Sequence, residues 1–293
     1  MVEHLLPVET TTIHGASIVT LTLEQGERPL VVIDEDLLAR LDATLESLPD
    51  RMDGFVLASS APRAFVAGAD LRAIMAMDDD ALHAYLREGA RVFRRIADLP
   101  CPTAAAVHSV ALGGGLELAM HCDALIGLAD PASKAYPIGL PEAGLKICPG
   151  WGGTNLLPVR IDAASAILAT ASGAPFKSDR AEELGLFEAT GTTREGVLGA
   201  AREWVASNPC PERSGKPSRC IGSGLEGEIG RALEIARSEI EPSEHTHAVL
   251  DCVQTGIESG WDAATARERE HLVRLRHTPA AREAIRAFFD KSR

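Results

Sequence analysis

Aromatic residues are scarce in this sequence: three Trp, two Tyr and seven Phe make up 4% of 293 residues. Its core must therefore be packed from Ala, Val, Leu and Ile. No window reaches the roughly 18 uninterrupted apolar residues that a membrane helix needs. The stretch from Met1 to Val8 lacks the basic region and long apolar core of a signal peptide. The six cysteines (101, 122, 148, 210, 220 and 252) include no C-x-x-C pair, and no zinc-ligand spacing appears around them. Scattered cysteines without a secretory signal read as reduced thiols of a cytoplasmic protein. Positive charge is also short. Against 42 acidic residues stand 29 Lys and Arg, a net charge of -13. That argues against binding nucleic acid or an anionic membrane, but leaves room for a local basic patch facing a small phosphorylated ligand.

What is present is a chain long enough for one large domain, or a domain with an appendage. Residues 10–22 alternate polar and apolar and predict a hairpin. Asp34 to Leu48 carries a helical apolar stripe, and Gly54 to Ala58 reads as a buried strand. Asp78 to Leu99 reads as a long amphipathic helix, broken by Pro100 and Pro102 before an apolar run from Thr103 to Leu112. Ala124 to Leu128 is a further strand. Helices are predicted over 162–170, 178–184 and 193–207. Alternating strands and helices of this length imply an α/β core with crossover connections. Residues 208–224, rich in Pro, Gly and Ser, read as an irregular linker. From 225 to 293 the pattern is helical, with no good strand. The predicted division is a core over 1–207, the linker, and a helical C-terminal segment over 225–293.

Three motifs carry chemical promise. In Phe65-Val66-Ala67-Gly68-Ala69-Asp70-Leu71, Gly68 permits a tight turn that bares the N–H of Ala69. The same residues also suit a plain strand-to-loop junction with Asp70 as a helix cap. In Gly113-Gly114-Gly115-Leu116-Glu117, a glycine turn opens a helix, with free N–H groups at the positive end of its dipole and Glu117 one turn in. Such groups hold an anion, or an oxygen that becomes one. Close strand packing and an acid favoured by the dipole would explain the same pattern. The third motif, Gly139 to Thr154, is dense in Gly and Pro and places Glu142 among apolar residues, where its pKa rises. A solvated Glu on an ordered loop is the alternative there. His108, His121, Cys122 and Asp123 invite a metal or Cys-His reading. Adjacent helical residues point apart, however, and no ligand spacing supports it.

In this order, the three motifs resemble the enoyl-CoA hydratase/isomerase (crotonase) superfamily, over about residues 10–200 and most densely at 55–71, 103–128 and 139–160. The third motif looks most like the hydratase part of multifunctional fatty-acid oxidation proteins. His271 to Arg293 is similar to the helical tail of such regions. The resemblance implies a spiral of repeated ββα units and a C-terminal helical segment that forms homotrimers or dimers of trimers. It implies that Ala69 and Gly114 supply the oxyanion-hole N–H groups, that Glu117 activates water and that Glu142 exchanges a proton at the α-carbon. It places the adenine and pyrophosphate of an acyl-CoA substrate near Arg63, Ala67, Gly68, Asp70, Leu71 and Arg72. It requires no metal or organic cofactor, since coenzyme A is part of the substrate. Having both acids favours hydration over isomerisation. An isomerase, another enolate-forming acyl-CoA enzyme and a non-catalytic acyl-CoA binding or assembly subunit are the alternatives. Three departures stand out. Lys146 occupies a position usual for glycine. About five extra residues lie within Asp130 to Ile138. Val31-Val32-Ile33-Asp34 replaces an Asn-Ala pair usual near the first helix.

Overall fold

The computed structural model describes residues 4–26, 30–130, 132, 134–222 and 224–291. The first three residues, part of the Asp130–Ile138 insertion, Ser223 of the 208–224 segment and the last two residues lie outside it. In chain order the strands are β1 (Val8–Ile13), β2 (Ala16–Leu23), β3 (Gly54–Ser59), β4 (Ala64–Val66), β5 (Thr103–Val107), β6 (Val110–Leu112), β7 (Ala124–Leu128), β8 (Pro137–Gly139), β9 (Phe176–Lys177) and β10 (Ala189–Gly191). The apolar run from Thr103 to Leu112 is thus two strands. They part at His108 and Ser109, whose side chains bond to the carbonyls of Ala61 and Arg63.

The chain forms two compact units. The first holds Met1–Asp70, Glu88–Ile138 and Lys177–Ser218. Its main sheet runs β1-β2-β3-β5-β7-β10. The β1–β2 hairpin is antiparallel and the remaining pairs are parallel. Two strands followed by a helix recur three times: β1 and β2 before Glu35–Glu46, β3 and β4 before Asp79–Ala97, β5 and β6 before Gly114–Met120. Parallel strands buried on both faces read as near-continuous apolar runs, as β3 does from Gly54 to Ala58 and β5 from Ala104 to Val107. The shortage of aromatics is met by alanine. Ala104, Ala106 and Ala124 let the helix Arg194–Ser207 approach the sheet through Val197, Ala201 and Val205.

Part of the 208–224 segment is anchored in this unit. Asp123, buried at 6% exposure, accepts from the N–H and hydroxyl of Thr103, from Ser218 Oγ at 2.7 Å and from both terminal nitrogens of Arg213 at 2.7 and 2.8 Å. Arg213 also donates to the carbonyls of Leu99 and Cys101. Burial alone would push the Asp123 carboxyl up, but these donors hold it below the usual carboxylate range. Arg213→Lys keeps the charge but loses the planar fork. It is expected to cost about 1.5–3 kcal/mol, the worth of a hydrogen bond to a charged group, read as a lower urea midpoint with unchanged slope.

The second unit holds Leu71–Arg87, Gly139–Phe176 and Arg219–Arg293. The third motif therefore belongs to the same compact unit as the C-terminal helices. Helices Ala163–Ser172, Glu226–Glu239 and Glu244–Ser259 pack through Ile167, Ile229, Leu233, Leu250 and Val253. Trp261–Leu275 lies against Glu244–Ser259. The buried Arg276 donates to the carbonyls of Ile74 and Met77 and pairs with Asp79. No described helix is long and apolar enough to cross a membrane.

Candidate active site

In the first unit, β4 runs into residues 67–70, which lie beside Val31, Val32 and Ile33. Ala67 N donates to Val31 O, Ile33 N to Gly68 O and Asp70 N to Ile33 O, at 2.8–3.0 Å. This parallel bridge, centred on Ile33 and Ala69, uses the peptide groups that flank Ala69. The N–H of Ala69 itself therefore points to the opposite side. Val31 and Ile33 thus hold the first motif in place.

The second motif is pressed against the first. β4 and β6 pair in parallel, so both motifs leave the carboxyl ends of neighbouring strands, where ligands of parallel sheets collect. Gly113 turns the chain at φ 52 and ψ -128, a conformation that a side chain would forbid. A Cβ at Gly115 would collide with the carbonyl of Val66, so glycine there lets the start of the helix Gly114–Met120 touch β4. The N–H of Gly114 belongs to the first turn, which has no intrahelical acceptor. Glu117 follows, 1% exposed, in a helix whose seven residues are all buried. The helix dipole favours a carboxylate in this first turn. His121 Nδ1 lies 2.8 Å from the carbonyl of Glu117. Among the described residues, no group of three or more His, Cys, Asp or Glu is placed to hold a metal.

Glu142, in the second unit, opens a 3-10 turn, Glu142–Leu145. Its carbonyl accepts from Ile147 N at 3.2 Å. The residue is half-buried, yet its Oε2 is enclosed and has no hydrogen-bond partner among the described residues. Burial, and then the neighbouring Glu268, push this carboxyl up from 4.5 to about 8. A carboxylic acid that keeps its proton at neutral pH is a competent proton donor to carbon.

Lys146 ends the turn in the left-handed region, φ 62 and ψ 27, which explains why glycine suits the position. Its Nζ lies 3.4 Å from His245 Nε2. Burial and then this ammonium hold His245 below its ordinary value. Lys146→Gly is expected to relieve about 1 kcal/mol of left-handed strain and to raise the His245 pKa. Thermal melting and an imidazole NMR titration would check the two effects, and an unmoved His245 would contradict the assigned contact.

The residues expected along coenzyme A are placed as follows. Arg63 is exposed, and its carbonyl accepts from Ser109 Oγ at 3.0 Å. Ala67, Gly68 and Asp70 form the strand extension beside Ile33. Leu71 begins the helix Leu71–Ala76, and Arg72 lies on it, exposed, with its guanidinium 5.0 Å from the centre of the Phe289 ring.

Residues 14–208 match the family described as Enoyl-CoA hydratase/isomerase. The chain belongs to that family. Its fold is the α/β crotonase fold with C-terminal helices. Among similar proteins are the fatty acid oxidation complex subunits alpha of Aliivibrio fischeri and Vibrio cholerae. The first is 30% identical over 280 residues, covering 92% of this chain and 38% of that protein. The second, from the Classical Ogawa strain, is 30% identical over 260 residues, covering 84% and 36%. The chain thus spans under two fifths of the length of these relatives. Two solved structures share its fold. An enoyl-CoA hydratase from Rhodobacter sphaeroides superposes with a TM-score of 0.67 at 21% identity, covering 97% of this chain and 90% of that one. A putative enoyl-CoA hydratase from Mycobacterium avium paratuberculosis gives 0.65 at 24%, covering 97% of both.

Two features of the sites carry no local sequence signal. The Val31–Ile33 support of Ala69 depends on strand pairing across more than thirty positions. Glu268, which acts on Glu142, lies in the middle of an ordinary amphipathic helix.

Proposed function

We propose that the chain hydrates 2-enoyl-CoA thioesters to 3-hydroxyacyl-CoA. The observation that carries this reading is Glu142, a carboxylic acid whose enclosed oxygen has no partner among the described residues and whose pKa is raised to about 8. The N–H groups of Ala69 and Gly114 take the thioester carbonyl oxygen and the enolate-like charge that grows there. One such donor is worth about 3–4 kcal/mol of barrier. Glu117 takes a proton from water as the water oxygen bonds to C3. Glu142 passes its proton to C2. The proton left on Glu117 resets the pair after product leaves. This scheme involves no metal or organic cofactor. Coenzyme A is the carrier, with Arg63, Ala67, Gly68, Asp70, Leu71 and Arg72 along it, and the C-terminal helices build a homotrimer or a dimer of trimers.

The fatty acid oxidation relatives support this reading of substrate class. Isomerisation is the second reading, since a proton shuttle at carbon needs only Glu142. The test is the loss of enoyl-thioester absorbance when purified protein is added to short, medium and long 2-enoyl-CoAs. Hydration of at least one chain length is expected. Folded protein that hydrates none, yet converts 3-enoyl-CoA to 2-enoyl-CoA, would replace hydratase by isomerase. Folded protein that does neither would leave an acyl-CoA binding subunit.

A further inference from the structure

Glu268 is a fully buried acid, 0% exposed, in the helix Trp261–Leu275. A carboxylate so placed is costly unless it is well supplied with donors. Three reach it. Gly152 N donates to Oε2 at 2.5 Å, while Thr154 N and Thr154 Oγ1 donate to Oε1 at 2.9 and 2.5 Å. These donors lie at the far end of the loop that begins with Glu142. Between the two ends, Trp151 Nε1 donates to the carbonyl of Leu86, and Cys148 Sγ lies 3.9 Å from Cys252 Sγ. The next residue, Asn155, donates to the carbonyl of Cys252. The loop is thereby fixed to the helices Glu244–Ser259 and Trp261–Leu275.

The two acids are supplied very differently. Among the described residues Glu268 has three donors, whereas Oε2 of Glu142 has none. When two acids interact and share a low-dielectric region, the better-solvated one ionises first. We propose that Glu268 is a positioning residue for Glu142: it stays ionised on the donors of Gly152 and Thr154, fixes the loop by them, and by its charge keeps the proton on Glu142. This rests on the reading of Glu142 as proton donor.

Other elements packed on the Glu142 turn bring little competing charge. Helix Ala163–Ser172 carries no ionisable side chain. On Pro279–Lys291, residues Arg282, Glu283, Arg286, Asp290 and Lys291 are exposed. On Glu244–Ser259, residues Glu244, His247, Asp251 and Glu258 are exposed, and His245 contacts Lys146. Burial pushes the Glu268 carboxyl up, and the donors of Thr154 and Gly152, followed by Arg269, work against that rise. The thiols of Cys148 and Cys252 are pushed up by burial and are neutral in this range.

The experiment is an infrared titration of the protonated-carboxyl stretch, with the Glu142 band assigned by its loss in Glu142→Gln. In the unmodified protein the band is expected to fade with a midpoint near 8. In Glu268→Gln the midpoint is expected to fall by about one pH unit or more, since a like charge has been removed. The alkaline limb of kcat is expected to move with it. An unmoved midpoint in folded Glu268→Gln overturns the proposal, even if activity or melting temperature falls. If that variant does not fold, Thr154→Val decides. It keeps both backbone donors and removes one of three, so a second carboxyl band, that of Glu268, should fade at higher pH than in the unmodified protein. No such displacement overturns the proposal. A shifted Glu142 midpoint in a protein that hydrates no enoyl-CoA would defeat the hydratase reading and leave the pairing of the acids standing.

Discussion

Glu142→Gln is expected to lower kcat/KM for hydration of a short 2-enoyl-CoA by about 10²–10⁴-fold, the usual worth of a placed acid or base, while the protein stays folded. The two halves of this expectation have one cause. Burial and Glu268 keep Glu142 neutral around pH 7, and glutamine has nearly the shape of a neutral carboxylic acid. The variant loses the transferable proton and little else. Its stability should even respond favourably to alkali. A carboxyl raised from 4.5 to about 8 on folding binds more protons folded than unfolded between those values. Stability is therefore fully present below about 4.5 and is lost as pH rises toward 8. Removing the group removes that slope. Glu142→Gln should match the unmodified protein in urea at pH 4.5 and exceed it at pH 8.5. Equal stability at both pH values would show that Glu142 is not held protonated, and undiminished hydration would remove it from the chemistry.

The same residue shows what can be read from sequence. An acid among Gly, Pro and apolar side chains points to a raised pKa, and the direction follows from burial alone. The second contributor does not, because Glu268 lies 126 positions away and becomes a neighbour only once the helix Trp261–Leu275 has packed. A glycine turn opening a helix was legible, because it rests on local sterics; that Gly113 carries the turn and the helix begins at Gly114 was not. The close contact of Gly115 with Val66 was not, since it needs β4 and β6 to be neighbours. Helices with a strong apolar stripe, such as Asp79–Ala97, were legible to within two residues. The short strands β8, β9 and β10 were not, as two or three residues carry no period. The Pro-, Gly- and Ser-rich segment reads as a linker from composition. Arg213 and Ser218 nevertheless tie it to the buried Asp123, and composition is blind to such a partner.

Glu117→Gln separates the two acids. It is expected to cut hydration by about 10²–10⁴-fold, for a reason unlike that at Glu142. Hydration needs a group that takes a proton from water, and an amide does not. Proton exchange at C2 needs only the acid at Glu142. The Glu117 variant should therefore still exchange the C2 proton of a bound acyl-CoA with deuterated solvent, whereas the Glu142 variant should lose both activities. Glu117 lies in the first turn of a helix with every residue buried. The substitution also weakens the interaction with the helix dipole, at a cost of up to about 2 kcal/mol. That is less than the 3–6 kcal/mol or so implied by the rate loss. A variant with the melting temperature of the parent, no hydration and intact exchange at C2 would place Glu117 on the water. Full hydration in that variant would remove Glu117 from the water-activating role. Loss of exchange together with hydration would mean that the two acids do not divide the work as assigned.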